Sequence, residues 1–105
     1  MADTVREFVL EMVELAESAY ESNANKAFKR AHEGVPNQVY LSPELFSRLQ
    51  REEKISGPQD QMTLDGLVIK NQLHPEVDMD LTVEVHGFAP VGYNPIPCGL
   101  NPSNS

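Results

Sequence analysis

The sequence has little of what marks a secreted or membrane protein. It contains a single cysteine, Cys98, among 105 residues and no tryptophan. A lone cysteine excludes an intrachain disulfide and is typical of a reducing compartment. The apolar runs are far shorter than the ~20 residues that a membrane-spanning helix needs, and the first residues lack the basic start and apolar stretch of a signal peptide. We therefore expect a protein that is neither secreted nor embedded in a membrane.

Positive charge is also scarce. Eight Lys and Arg residues stand against 16 Asp and Glu, so the formal net charge is −8. This charge disfavours nonspecific binding to DNA, RNA or anionic lipid, because like charges repel. The length and an apolar content of 40% are those of one globular domain. The composition thus predicts a folded protein with no direct nucleic-acid or membrane partner.

A long first helix is the strongest structural signal. Thr4 and Glu7 form a T-x-x-E capping box, and apolar residues then recur at three- and four-residue steps up to a stop signal at Gly34. The helix either runs unbroken over residues 4–33 or breaks near Asn23. An unbroken helix would be about 45 Å long. Its apolar face would need a partner, so we expect self-association or docking.

A short extended piece, residues 38–41, leads into a second helix. Ser42-Pro43-Glu44 combines an N-cap residue, a proline at the first helical position and an acid in the first turn. This helix is predicted to run to about Glu53.

The following part of the chain reads as a small antiparallel sheet. The apolar run 67–69 is entered through the turn or bulge pair Asp65-Gly66. Residues 79–86 alternate between apolar and polar side chains, as in a strand with one wet face. Two helices and an antiparallel sheet make the predicted fold class α+β.

The C-terminal residues differ in composition from the rest. Residues 88–105 are rich in proline, which excludes a helix or a central strand. The apolar side chains between the prolines indicate an extended arm that packs onto something. We therefore expect one α+β domain, residues 1–87, followed by this arm.

A row of polar residues could in principle hold a metal ion, since carboxylates and imidazoles ligate divalent cations. If this stretch were one alternating strand, six polar side chains would lie on the same face, namely those of His74, Glu76, Asp78, Asp80, Glu84 and His86. Successive residues on one face are nearly 7 Å apart along a strand, however, which is too far for several to hold one ion. A solvated polar face is the favoured interpretation, and neither a metal nor another cofactor is predicted.

No catalytic residues are assigned. Cys98 lies in the arm with no Cys-His motif beside it, and His32 fits a position near a helix C-terminus. The sequence contains no nucleophile-elbow, phosphate-loop or zinc-protease motif. These observations favour a protein that is not an enzyme.

Part of the chain resembles a known class of proteins. The stretch Val39-Tyr40-Leu41-Ser42-Pro43-Glu44-Leu45-Phe46-Ser47-Arg48-Leu49, with Leu64-Asp65-Gly66-Leu67-Val68-Ile69 and His74-Pro75-Glu76 downstream, is similar to segments in small structural and accessory proteins of tailed bacteriophages. The resemblance covers residues 38–85. It implies a phage origin and a place in the virion, and it implies no catalytic residue.

The first functional hypothesis is a virion- or capsid-associated subunit. It would bind itself, as a homo-oligomer, or a larger phage structural protein, because an extended arm suits wide contact with a partner. The interface residues would be Val5, Phe8, Met12, Leu15, Phe88, Tyr93, Ile96 and Leu100.

The alternative hypothesis is a soluble inhibitor of a host protein, such as a defence protein. Acids of the first helix would imitate the charge of nucleic acid, namely Glu7, Glu11, Glu14 and Glu21. A variant of this hypothesis sequesters a small signalling nucleotide, whose phosphates would meet Lys26, Lys29, Arg30, Arg48 or Arg51. Both hypotheses place the protein in the virion or the host cytoplasm.

Overall fold

The computed structural model describes residues 3–21, 37–57, 59–85, 90–95 and 100, with side chains of the first helix described as far as Ala19. The described part contains the helices α1 (Val5–Glu21) and α2 (Pro43–Glu52) and the strands β1 (Gln38–Leu41), β2 (Gln61–Leu64), β3 (Leu67–Asn71), β4 (Leu81–Glu84) and β5 (Val91–Tyr93). The predicted α+β class is confirmed, as are a long first helix and a second helix.

The five strands form one mixed sheet in the order β2-β3-β1-β4-β5. β1 is its central strand, parallel to β3 and antiparallel to β4. The predicted purely antiparallel sheet is therefore wrong at one place. β3 and β4 run in opposite directions but do not touch, because β1, which the sequence indicated only as a short extended piece, lies between them.

A tight hairpin joins β2 to β3 at Asp65 and Gly66. Both residues have positive φ, 49° and 82°, as a type I′ turn requires, and the twist of that turn matches the twist of paired strands. Leu64 is thereby set opposite Leu67, and Met62 opposite Ile69. The predicted turn pair is thus the centre of a hairpin, and the first strand of this hairpin, β2, was not predicted from the sequence.

The core lies between the helices and one face of the sheet, which we call the core face. From the strands it receives Val39, Leu41, Met62, Leu64, Ile69, Leu81 and Val83, and from the helices Val5, Phe8, Val9, Met12, Val13, Ala16, Leu45, Phe46 and Leu49, all of them buried. On β1, β2 and β4 the buried apolar residues alternate along the strand, as the two-residue period of a strand demands. Leu100, far along the chain, is buried in the same cluster.

This packing corrects the expectation that α1 has an unpartnered apolar face. Val5 and Phe8 are fully buried and Met12 is 4% exposed, because the chain's own sheet and α2 cover that face. Of the four residues proposed on α1 as an interface, only Leu15, at 55% exposed, reaches the surface. The stretch 22–36, where the helix was expected to continue or break, lies outside the described residues.

The start of α1 is held by two acceptors. Thr4 Oγ1 accepts from the backbone N–H of Glu7 at 3.1 Å, as the capping box predicts. The carboxylate of Glu52, on α2, accepts from the N–H groups of Val5 and Arg6 at 2.7 and 3.1 Å. The first N–H groups of a helix have no partner within it, so Glu52 joins α1 to the end of α2.

Part of the predicted arm belongs to the sheet. Residues 91–93 form β5, an edge strand antiparallel to β4, so the boundary expected at residue 88 does not separate the arm from the domain in the region described. An edge position agrees with the exclusion of a central strand. Two predicted interface residues of the arm, Phe88 and Ile96, lie outside the described residues. Tyr93 is half-buried and Leu100 is buried in the core.

Candidate functional site

The face of the sheet that points away from the helices, which we call the outer face, carries most of the polar side chains of the strands. The register places Gln38 and Tyr40 of β1, Thr82 and Glu84 of β4, Val68 and Lys70 of β3, and Gln61 and Thr63 of β2 on this face. The segment between β3 and β4, residues 72–80, lies across the β4–β5 side of it. We call this segment the strap.

His74 fixes the strap to the sheet. Its Nε2 lies 3.2 Å from Oε1 of Glu84, and its Nδ1 accepts from the backbone N–H of Glu76 at 3.0 Å. The N–H of Glu76 occupies Nδ1, which leaves Nε2 as the ring nitrogen that faces Glu84. The His74 side chain is only 7% exposed, so the imidazole is used in two contacts and largely shielded from solvent.

Tyr40 completes this cluster. Its ring meets the His74 ring edge to face, with centroids 4.8 Å apart and planes at 78°, a favoured aromatic geometry. Burial raises the pKa of the Tyr40 hydroxyl, and the hydrogen bond with Glu84 and the negative charge of Glu84 raise it further. The three side chains form a structural clamp, which holds a neutral phenol and a carboxylate side by side.

The rest of the strap packs directly on β5. A Cβ built on Gly92 would lie 2.5 Å from Cγ1 of Val77 and 2.5 Å from Cγ of Met79. Gly92 pairs with Thr82, so Met79 lies over the outer face and not over the core face with Leu81. The predicted strand over residues 79–86 is therefore too long at its start, because the chain turns at Val77, whose carbonyl accepts from the N–H of Met79.

The row of potential metal ligands is not assembled. His74 meets Glu84, whereas Glu76, Asp78 and Asp80 are exposed on the strap. Over the described residues, no group of three or more His, Cys, Asp or Glu side chains is arranged to hold a metal ion. His86, the last residue of the row, lies outside the described part, as do Cys98 and His32.

A small cleft lies at the start of α2. Its volume is about 120 Å³, and it is lined by Ser42, Glu44, Leu45, Arg48, Asp80, Pro95 and Leu100. Arg48 is 8% exposed, and the Ser42 hydroxyl accepts from the N–H of Leu45 at 3.4 Å, as an N-cap should. The cleft has room for a group of a few atoms, and its charged lining is split between one cation and two carboxylates.

A second set of charges binds the hairpin to α1. Arg6 donates to both carboxylate oxygens of Asp65, each at 2.9 Å, and to Oε1 of Glu53 at 3.1 Å. Both bonds to Asp65 come from Nη2 and the bond to Glu53 comes from Nη1, so one guanidinium joins the hairpin to the end of α2. No sequence motif marks Arg6 or Glu52. Residues 46 or more positions apart leave no periodic signal.

The exposed side of α1 is acidic. Glu7, Glu11 and Glu14 are exposed, with Leu15 beside them, and their spacing of four and three residues puts them in one row, which we call the acidic stripe. Glu21, the fourth acid of the predicted set, has no described side chain. Of the cations proposed to meet a nucleotide, Arg48 is buried in the cleft and Arg51 is exposed, and the other three lie outside the described residues.

Comparisons of the chain with protein-family models, with curated proteins and with solved structures found no match. In the described residues, the structure has no helix that is both long and apolar enough to cross a membrane.

Proposed function

We propose that the protein is a non-enzymatic interaction subunit that works by binding copies of itself or a larger structural protein. With the resemblance of residues 38–85, the proposal extends to a virion or capsid of a tailed phage. The observation that carries it is how the chain uses its acid and base side chains. Glu52 holds the start of α1, Arg6 holds the hairpin and His74 holds the strap.

These uses argue against catalysis by the groups concerned. A general acid or base must come within hydrogen-bond reach of a reacting atom. His74, the best candidate in the described part, has its two nitrogens engaged by Glu84 and Glu76 and is 7% exposed. A substrate could reach its ring nitrogens only if the strap, which includes His74, moved away from the sheet. The cluster supports rigidity, which an assembly protein needs in order to present fixed surfaces.

One observation favours the alternative, a soluble inhibitor that imitates nucleic acid. The acidic stripe presents carboxylates that are exposed along one side of α1, and a four-residue step on a helix advances about 6 Å. Such a row would fit a basic groove and would be attracted to it over a Debye length of about 8 Å at physiological salt. It gives no account of the sheet or of the C-terminal residues.

Native mass spectrometry of the untagged protein, expressed in bacteria, separates the two. We expect a defined homo-oligomer without retained ligand if the protein is an assembly subunit. A species that carries a host protein, a nucleotide or a metal would contradict this and support the alternative.

A charge variant makes the same experiment sharper. Glu7→Gln, Glu11→Gln and Glu14→Gln together remove the acidic stripe without touching a buried residue. Under the assembly proposal the oligomer survives this change. Under the inhibitor alternative the retained host protein is lost.

A further inference from the structure

The two edges of the sheet differ in how they are protected against pairing with another strand. β5 has three residues, one of them Gly92, and is flanked by Pro90 and Pro95. Short length and proline are the usual means of blocking an edge. β2 contains neither proline nor a charged side chain, and its sequence is Gln-Met-Thr-Leu. Within the described residues β2 pairs only with β3.

The register shows which backbone groups of β2 point away from the sheet. In an antiparallel pair, residues alternate between those that exchange hydrogen bonds with the opposite strand and those that do not. The N–H of Asn71 donates to the carbonyl of Asp60 at 3.0 Å. Positions 60, 62 and 64 therefore bond to β3, and the N–H and C=O groups of Gln61 and Thr63 face outwards. Both of these residues have exposed side chains.

From this geometry we propose that β2 is a homodimer interface, at which two copies join their sheets edge to edge in antiparallel fashion. The inference deepens the interaction role proposed above and rests on it. One register uses all four outward groups of each copy. It sets Gln61 of one copy opposite Thr63 of the other, and Met62 opposite Met62, about a two-fold axis.

This register is self-complementary in its side chains. Gln61 and Thr63 lie on the outer face, where an amide and a hydroxyl across a strand pair can hydrogen-bond. Met62 is on the core face, 8% exposed, and would meet its own copy in an apolar contact. A symmetric contact of this kind closes at two subunits.

The charges near β2 allow two copies to meet there. In this register Asp60 lies opposite Leu64, so no carboxylate of the strand region faces another. Asp65, at the adjacent turn, already has both oxygens bonded to Arg6. The acidic stripe is on α1, whose main packing partners are β4 and α2. Like charges directly opposite in a strand pair are destabilising, and this arrangement avoids them.

Sedimentation velocity on the full chain tests the proposal. Because an edge contact buries little surface, we expect a dissociation constant of roughly 10–100 µM, and the protein concentration should span about 5 to 500 µM. Thr63→Pro is the decisive variant. It removes an outward N–H and leaves the bonds to β3 intact, so dimerisation should weaken at least about tenfold. Thr63→Ser keeps both the N–H and the hydroxyl and is the matched control, which should dimerise like the natural chain.

Amide hydrogen exchange gives a readout that does not depend on the proline variant folding. In concentrated solution the amides of Gln61 and Thr63 should gain protection, whereas those of Met62 and Leu64, bonded to β3, are protected at any concentration. Higher salt should strengthen the dimer, because it screens repulsion between two acidic copies. A monomer throughout the concentration range, or a dimer that Thr63→Pro leaves unchanged, overturns the β2 interface.

These failures are distinct from failure of the proposed function. If the oligomer persists in Thr63→Pro, the assembly role still stands, but the contact between copies lies on a surface other than β2. A monomer that retains a host protein or a nucleotide in native mass spectrometry removes the assembly role itself.

Discussion

Thr82 is a polar side chain that the fold buries completely. It is 0% exposed on the outer face beneath the strap, and its hydroxyl has no hydrogen-bond partner among the residues that the structure describes. Burying a hydroxyl without a partner costs about 1–3 kcal/mol, whereas an apolar group of the same shape carries no such penalty. Thr82→Val should therefore raise the free energy of unfolding by about 1 kcal/mol.

Urea unfolding measures this change. Thr63→Val is the control, because Thr63 is exposed on the same face of the sheet and its substitution should stay within about 0.5 kcal/mol. A Thr82→Val protein less stable than the natural one would show that the hydroxyl has a partner in solution.

Tyr40 links stability to alkaline pH. Its pKa is raised above the ordinary value of 10.0 by burial and by Glu84. As the pH rises past 10, the unfolded chain releases this proton before the folded chain does, so the folded state loses stability over that range. Tyr40→Phe should remove this part of the alkaline loss, which urea unfolding between about pH 9 and 11 would measure.

Glu84→Gln is the matched variant for the same cluster. It removes a negative charge that raises the Tyr40 pKa, so the tyrosine should ionise at a lower pH, as followed by ultraviolet absorbance. Tyr40→Phe assigns the signal among the three tyrosines of the chain. An unchanged titration would contradict the contact between the phenol and Glu84.

Single residues show where sequence reasoning stops. The sequence indicated His74 and Glu84 as members of one polar row, and the structure does bring these two together. They meet because the strap folds back onto the sheet, not because they alternate along one strand. A two-residue period describes only a chain that stays extended, and this one turns at Val77.

At the level of elements, the helix starts were predictable because capping is local. Ser42 and Thr4 act on amides three positions ahead, within the reach of a sequence pattern. β2 escaped notice because four residues give only two apolar positions, Met62 and Leu64, too few to define a period. The better signal was Asp65-Gly66, since a type I′ turn requires a strand on each side.

Glu52 gives a prediction at this scale. Glu52→Ala removes both acceptors from the start of α1, and we expect a loss of about 1–2 kcal/mol in the free energy of unfolding. Glu11→Ala, on the exposed side of α1, should change it by no more than about 0.5 kcal/mol. Equal effects in the two variants by urea unfolding would mean that Glu52 does not cap α1.

For the molecule as a whole, the strand order was beyond the sequence. β1 pairs with β3, although α2 and β2 lie between these two strands along the chain. Nothing in the four residues of β1 indicates that this strand forms the centre of the sheet. What placed β1 there is burial, since Val39 and Leu41 are fully buried and a strand between two others buries the most apolar surface. Such a choice depends on all elements at once.

The net charge leads to a prediction for the whole chain. Two opposing effects depend on salt: repulsion among the acids, with a net charge of −8, and attraction within ion pairs such as Arg6–Asp65. Exposed ion pairs contribute little, about 0–1 kcal/mol. The acidic stripe places like charges at four- and three-residue steps, each pair unfavourable by about 0.2–0.5 kcal/mol.

Repulsion should therefore prevail, and salt should stabilise the fold. Between about 0.05 and 0.5 M NaCl, where screening becomes much stronger, we expect a gain of about 1 kcal/mol, or roughly 4–8 °C in Tm for a domain of this size. The double variant Glu11→Gln, Glu14→Gln, which keeps Glu7 in the first turn of α1, should be more stable at low salt and respond less to added salt. Measurement at low protein concentration, by circular dichroism, keeps self-association out of the result. A Tm that falls with salt would mean that the contacts of Arg6 outweigh the acidic stripe, because screening would then remove more attraction than repulsion.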